Sequence, residues 1–201
     1  MGRSAVKEQK TEEKVMETFY TAKRQEWREY LAKNFRTARE IWFVFPTKGS
    51  GEESLSYNDA VEEALCFGWI DSTIKPIDEF HRAQRFTPRR KGSPYSQPNI
   101  ERLVWLDTQN LIHPDIRDKV LPLIRNPFVF PEDILEFLRK DPAVWNNFQN
   151  FSEPYKRIRV AYIEAARKRP DEFQKRLRNF AEKTRKGNLI KGYGGIEKYY
   201  H

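Results

Sequence analysis

The sequence predicts an α+β fold that is mainly helical, with a small three-stranded antiparallel sheet and a C-terminal helical region. Three observations lead to this prediction. Apolar residues recur at spacings of three and four over most of the chain, as one face of a helix requires. Three short segments, 41–45, 69–77 and 83–87, are rich in β-branched and aromatic residues and have the length of strands. From residue 131 onward only the helical pattern continues.

The first half of the chain alternates between helical and strand patterns. A first helix places Trp27 and Leu31 on one stripe, and the apolar run 41–45 follows as a buried strand. Ser56 is suited to cap a second helix, because a serine hydroxyl can accept a hydrogen bond from a free amide of the first turn. Gly68 is expected to end that helix, because glycine adopts the left-handed conformation without steric cost.

Two further strands are predicted directly after this glycine. In the strand 69–77 successive side chains point to opposite faces, so Trp69, Asp71 and Lys75 share one face. The next strand can return antiparallel after a short loop. We therefore expect the side chains of Asp71 and Arg85 to meet across the pair.

The remainder of the chain is mostly helical. A helix begins at Ser96 or Asn99, and four prolines between residues 110 and 131 predict a less regular connection. Capping and first-turn residues then predict further helices that begin near Glu132, Asp141, Ser152 and Asp171. The predicted organisation is a disordered polar tail (1–18), an α+β core (19–130), a basic helical region (131–190) and a flexible tail (191–201).

Composition limits the class of protein. Of 201 residues, 38% are hydrophobic and 33% charged, which suits one domain with a modest core and a highly charged surface. No apolar run approaches the roughly 20 residues of a membrane span, and the N-terminus lacks the apolar segment of a secretory signal. The single cysteine, Cys66, excludes an internal disulfide and favours a reducing compartment, so we expect a cytoplasmic location. The three histidines lack metal-ligand spacing, and we expect neither a metal nor a cofactor.

Positive charge is concentrated near the C-terminus. The net charge of the chain is +8, and residues 155–201 hold seven Lys and seven Arg against one Asp and four Glu. Two interpretations of the basic region 155–191 stay open: the ordinary solvated face of helices, or a surface that binds nucleic acid. The basic residues concerned recur at mixed spacings and are Lys156, Arg157, Arg159, Arg167, Lys168, Lys175, Arg176 and Arg178.

A second group of cations surrounds the end of the last predicted strand. Arg85, Arg89, Arg90 and Lys91 lie within seven positions, beside a Pro/Gly/Ser loop with exposed amides. Arginine binds phosphate and carboxylate groups bidentately, so this loop is a candidate anion site. The alternative is that the arginines pair with carboxylates and that Ser96 or Asn99 only caps a helix. The candidate ligand-binding residues are Trp69, Asp71, Lys75, Arg85, Thr87, Arg89, Arg90, Ser93, Tyr95, Ser96 and Asn99.

The same segment resembles a known family. ALCFGWIDS at 64–72, QRFTPRR at 84–90 and SPYSQPN at 93–99 are similar to the YdeI/OmpD-associated family of bacterial proteins, which show EALCFGWIDG, RFTPR and S-x-W-S-x-x-N. With its flanks the resemblance covers about residues 19–190. Tyr95 stands where the family has Trp, and residues 110–124 and 167–179 also depart from its pattern. The family's "bacteriocin protection" label implies a role in envelope stress, without an established reaction.

These observations favour a binding module for a small anionic or sugar-like ligand, with Asp71 orienting the arginines and a stress-protection role implied by the resemblance. A nucleic-acid-binding protein that uses the basic C-terminal helices is the alternative. A small hydrolase-like enzyme is the third hypothesis, in which His81 and nearby carboxylates would supply acid–base chemistry. The sequence does not contain the G-x-S-x-G, P-loop or G-x-G-x-x-G motifs.

Overall fold

The computed structural model describes residues 16–192 and 196–200, and it confirms an α+β fold that is mainly helical. Parts of the predicted tails, residues 1–15, 193–195 and 201, lie outside the described residues. Within the described ranges the helices are α1 (Arg24–Asn34), α2 (Tyr57–Cys66), α3 (Gln97–Thr108), α4 (Pro114–Arg125), α5 (Glu132–Arg139), α6 (Pro142–Asn150), α7 (Glu153–Glu164) and α8 (Pro170–Arg185), followed by a 3-10 helix (Ile196–Tyr199).

Among the residues that the structure describes, the sheet has four strands, one more than the sequence predicts. They are β1 (Thr18–Phe19), β2 (Ile41–Pro46), β3 (Trp69–Pro76) and β4 (His81–Pro88), in the order β1-β2-β4-β3. The strand β1 runs parallel to β2, whereas the other pairs are antiparallel, so the sheet is mixed and the predicted three-stranded antiparallel sheet is wrong. A strand of two residues is too short to show an alternating pattern, which is why the sequence gives no signal for it.

The predicted contact between Asp71 and Arg85 is wrong, because the strands pair in a different register. Asp71 lies opposite Phe86, and Arg85 lies opposite Trp42 on the other side of β4. Neighbouring residues of a strand point to opposite faces, so a register error of one residue exchanges the faces. Asp71 therefore shares the helix-covered face of Phe86, and Arg85 lies on the opposite face.

The corner between α2 and β3 forms as predicted. The Ser56 hydroxyl accepts a hydrogen bond from the Asp59 amide at 3.0 Å and caps α2. Gly68 has a φ of +72°, and a Cβ atom placed on it would lie 2.9 Å from Cδ1 of Ile116. Glycine is required here both by the backbone conformation and by the close packing of α4.

The proline-rich connection is more regular than predicted. Residues Pro114–Arg125 form α4, with Pro114 in the first turn and the His113 ring accepting a hydrogen bond from the Asp115 amide at 3.2 Å. Proline is tolerated in a first turn, because the amide that it lacks would have no partner there. The buried side chains of Ile116 and Val120 hold this helix on the core.

Two hydrophobic clusters form the interior. The first lies between the sheet and helices α1 to α4, and the second lies among α5 to α8 and the 3-10 helix. Trp105 of α3 packs against both clusters, so α3 is the element that they share. Residues 196–200, predicted as part of a flexible tail, place Ile196, Tyr199 and Tyr200 in the second cluster.

Candidate functional site

A cleft of about 750 Å³ lies between α3 and α7, where the two hydrophobic clusters adjoin. One wall comes from the α+β half of the chain and carries most of the polar groups, and the opposite wall comes from α7 and the loop before α5. The polar wall includes Tyr57, Asp71, Tyr95, Ser96, Asn99 and Arg102. The opposite wall includes Phe128, Val129, Ile158, Ala161, Tyr162 and Glu164.

Tyr57 and Asp71 form the first polar pair of the cleft. The Tyr57 hydroxyl donates to Oδ2 of Asp71 at 2.7 Å. Burial, reinforced by this carboxylate, raises the pKa of Tyr57, so the phenol keeps its proton. Because the phenol is held as a donor, the Asp71 carboxylate is oriented with Oδ2 engaged, and in the described residues no hydrogen bond reaches Oδ1.

Arg102 and Asn99 form the second polar pair. Arg102 is only 4% exposed, and its Nε donates to Oδ1 of Asn58 at 3.0 Å. One terminal nitrogen of the same guanidinium donates to Oδ1 of Asn99 at 2.9 Å. Burial lowers the pKa of Arg102, and the neighbouring Tyr57, Glu62 and Asp71 oppose this shift. The guanidinium therefore fixes both amide side chains through their oxygen atoms, and Asn99 lines the cleft.

A stacked arginine supports the rim of the polar wall. The guanidinium carbon of Arg89 lies 3.6 Å from the ring centroid of Tyr95, and burial raises the pKa of that phenol. Arg89 also donates to the backbone carbonyl of Pro94 at 2.7 Å. These contacts close the loop 89–95 on itself, so Arg89 holds Tyr95 in place at the rim.

The opposite wall is largely apolar and partly open to solvent. Val129 is 81% exposed at the rim, beside Phe128, whose ring packs edge-on against Phe130 at 4.8 Å. The ring of Tyr162 is covered on one face by the guanidinium of Arg176 at 3.8 Å. An exposed valine and a half-exposed tyrosine ring in a concave surface are typical of a ligand pocket.

Four of the predicted site residues line this cleft: Asp71, Tyr95, Ser96 and Asn99. They lie together because the start of β3, which carries Asp71, and the start of α3 both border the cleft opposite α7. Their role in binding stays a prediction.

The other predicted site residues lie elsewhere. Arg85 donates from Nε to Glu40 at 3.0 Å, and Lys75 lies 5.0 Å above the Trp42 ring on the opposite side of the sheet from Asp71 and the cleft. The Trp69 ring is in the core, with its nitrogen bonded to the carbonyl of Phe35. The expected convergence of the arginines is therefore wrong, and the remaining candidates (Thr87 on β4, exposed Arg90 and exposed Ser93) do not line the cleft.

Most residues of the cleft are not predicted from the sequence, and Tyr57, Arg102 and Tyr162 are examples. Tyr57 directly follows the helix-capping Ser56, and this position indicates only that it belongs to the first turn of α2. Arg102 follows Asn99 by three positions among inward-facing leucines, and this spacing is a usable signal for a buried arginine. Tyr162 lies in the basic helical region, and local sequence gives no sign that α7 faces α3.

The predicted reactive groups lie outside the cleft. His81 lies 2.8 Å from Asp78 and 2.9 Å from Glu52, which is the distance that acid–base chemistry needs. Asp78 and His81 are, however, at the tip of the β3–β4 hairpin, and Glu52 lies in the exposed loop between β2 and α2. Cys66 is fully buried, and burial raises the pKa of its thiol to about 12. Neither group has access to the cleft, and no group of metal-binding side chains occurs among residues 16–192 and 196–200.

Many of the basic C-terminal residues have partners within the chain. Arg157 pairs with Glu101, Arg167 with Asp133 and Glu164, Arg176 with Glu172, and Lys156 with Glu153. Arg159 is buried and bonds to the Tyr200 hydroxyl at 3.2 Å. Lys168, Lys175 and Arg178 are exposed. Binding of nucleic acid through this region stays a prediction. None of the helices in the described ranges combines the length and apolarity of a membrane span.

Comparison with known families divides the chain in two. A family model described as "Domain of unknown function (DUF8412)" matches residues 19–119, half of the chain. A model described as "Bacteriocin-protection, YdeI or OmpD-Associated" matches residues 127–187, so this resemblance is confirmed over part of the chain. The motifs at 64–99 fall within the first match. No curated protein and no solved structure matches the chain. The cleft lies where the two matched regions meet.

Proposed function

Starting from the fact that this chain belongs to the DUF8412 family, we propose that it is a binding module whose small-molecule ligand occupies the cleft between α3 and α7. The observation that carries the proposal is the cleft itself. Its volume, about 750 Å³, is within the range of small-molecule sites, and an apolar wall faces a few fixed polar groups.

The lining favours a hydroxyl-rich ligand with an apolar face, such as a sugar. The free Oδ1 of Asp71 can accept a hydrogen bond from a hydroxyl, and the amide nitrogen of Asn99 can donate one. Tyr95 and Tyr162 offer ring surface to the C–H face of a pyranose. These complementary groups on opposite walls support a sugar-like ligand.

An anionic ligand has less support. The carboxylates of Asp71 and Glu164 line the cleft, and the Arg102 guanidinium already donates to Asn58 and Asn99. Glu164 pairs with Arg167, but the Asp71 carboxylate is bonded to a neutral phenol, so a phosphate in this position would meet its negative charge beside a guanidinium that is already engaged. We therefore propose a neutral ligand in preference to a phosphorylated one.

The test is a calorimetric titration with three probes: phenyl β-D-glucoside, N-acetylglucosamine and glucose 6-phosphate. We expect phenyl β-D-glucoside to bind most tightly, because it has both hydroxyls and an apolar ring, and glucose 6-phosphate to bind most weakly. Asp71→Asn should weaken binding about tenfold, which corresponds to the loss of one charge-assisted hydrogen bond.

The matched control is Asp118→Asn, which removes an exposed carboxylate from α4 without touching the cleft. Its affinity should equal that of the wild type. The proposal fails if none of the three probes binds the wild type, or if Asp71→Asn and Asp118→Asn bind equally well.

We also propose a role in protection against bacteriocins, because the family model that matches residues 127–187 is described by that role. If the cleft serves that role, expression of the wild type should reduce killing of a bacteriocin-sensitive strain, and Asp71→Asn should not. Equal protection by both proteins would separate any such role from the cleft.

A further inference from the structure

The C-terminal segment 196–200, here called the strap, docks against the back of the polar wall. Ile196, Tyr199 and Tyr200 are buried, and the Lys198 ammonium lies 4.3 Å from the Trp105 ring centroid. The strap thus contacts both α3 and α7, because the Tyr199 ring lies 5.9 Å from the Trp105 ring of α3 and the Tyr200 ring lies 4.9 Å from the Tyr155 ring of α7.

The strap is bound by a carboxylate inside α2. Glu62 is completely buried, and its Oε1 lies 2.5 Å from the Lys198 ammonium and accepts a hydrogen bond from the Tyr199 hydroxyl. Its Oε2 lies 2.9 Å from Arg24. A buried carboxylate requires cations and donors around it, and the strap supplies one of each.

Asn58 connects this carboxylate to the cleft. Its amide nitrogen donates to Oε1 of Glu62 at 2.7 Å and lies 3.4 Å from the Tyr199 hydroxyl oxygen. Its carbonyl oxygen accepts the Nε hydrogen of Arg102 at 3.0 Å. An amide has one acceptor end and one donor end, so partners on the nitrogen determine which way the oxygen points.

The chain of hydrogen bonds ends in the cleft. Arg102 donates from a terminal nitrogen to Oδ1 of Asn99, and Asn99 lines the cleft. The order of contacts is Lys198 and Tyr199, then Glu62, Asn58, Arg102 and Asn99.

From this continuous set of contacts we infer that the strap completes the cleft: Tyr199 and Lys198 are positioning residues that hold Asn58, and through it Arg102 and Asn99, in the geometry for ligand binding. The ligand-binding part of this inference rests on the proposed function. The positioning of Arg102 does not, and it can be measured without a ligand.

The experiment compares two double variants that remove the same types of group. In the strap variant, Lys198→Met with Tyr199→Phe, the lysine charge and the hydroxyl that contact Glu62 are lost. In the control, Lys186→Met with Tyr30→Phe, both residues lie outside the strap: the lysine lost pairs with Glu182 and the hydroxyl lost contacts Glu17. Neither control residue contacts Glu62 or Asn58 among the described residues.

The first measurement is the solvent exchange rate of the Arg102 Nε hydrogen in ¹⁵N NMR spectra, with Arg102→Lys to assign the signal. We expect the strap variant to increase this rate about tenfold, because the acceptor on Asn58 is no longer fixed, and the control to change it less than about twofold. Equal rates in the wild type and the strap variant would overturn the inference.

The second measurement is the affinity for phenyl β-D-glucoside. We expect the dissociation constant to rise about fivefold in the strap variant and to stay unchanged in the control. If the wild type does not bind the probe, the proposed function fails and the exchange rate alone decides whether the strap positions Arg102. A faster exchange rate with unchanged affinity would refute the link to binding.

Discussion

The packing of α4 against Gly68 leads to a prediction with an internal control. Gly68 and Gly187 both have left-handed backbones, with φ of +72° and +67°. A Cβ on Gly187 would meet nothing within 4 Å, whereas one on Gly68 would lie 2.9 Å from Cδ1 of Ile116. Replacement of each glycine by alanine therefore imposes the same backbone strain, and only the change at 68 adds a steric conflict.

The magnitudes follow from these two contributions. An L-residue in the left-handed conformation costs about 1–2 kcal/mol, so we expect Gly187→Ala to lower the free energy of unfolding by about 1 kcal/mol. Crowding in a packed interior adds about 1–3 kcal/mol, so Gly68→Ala should lower it by about 2–4 kcal/mol. Urea denaturation followed by circular dichroism measures both values, and unchanged m-values would show that the unfolded states are comparable.

A third substitution tests the cause. Ile116→Val removes the conflicting Cδ1 atom and leaves Cγ1 and Cγ2, which would lie 3.6 and 3.7 Å from the new Cβ. Alone it should cost about 1 kcal/mol, but Gly68→Ala in the Ile116→Val background should cost only about as much as Gly187→Ala. Equal costs of Gly68→Ala in both backgrounds would refute the steric explanation.

Three further predictions concern charged and titratable groups. Hydrogen bonds to Asp78 and to Glu52 raise the pKa of His81 above its ordinary value. The stability that protonated His81 contributes should therefore be present below about pH 6.5 and disappear as the pH rises through the raised pKa. The difference in thermal midpoint between the wild type and His81→Gln, measured from pH 5 to 9, should become smaller over that range. Because burial raises the pKa of Cys66 to about 12, iodoacetamide should leave the native protein unmodified at pH 8 and react in urea. Arg85→Met should change probe affinity less than twofold, since its partner is Glu40.

The elements that the sequence predicts well are those with local signals. The helix α2 has its cap at Ser56 and its end at Gly68, and both depend on residues within a few positions of each other. The strand β1 has two residues and exists only because it pairs with β2 far along the chain. No local pattern can report such a strand, because its stability comes from its partner.

The same distinction explains the candidate site. Three arginines and one lysine that are close together in sequence predict one anion site. Side chains alternate between the two faces of β4, however, and Arg85 lies on the face where it contacts Glu40. Sequence proximity in a strand predicts separation as often as convergence, since the face changes at every residue. Asp71, Tyr95, Ser96 and Asn99 were identified because they lie near the ends of β3 and α3, where side chains of adjacent elements meet.

The part of the cleft that the sequence could not reveal is its far wall. Tyr162 and Glu164 are more than sixty positions from Asn99, and they face it only because the second hydrophobic cluster packs α7 beside α3. The two family matches end and begin in the segment between these elements, at 119 and 127. A cleft built from both matched regions requires both of them, which predicts that neither region alone would bind the probe and that the site belongs to the combination.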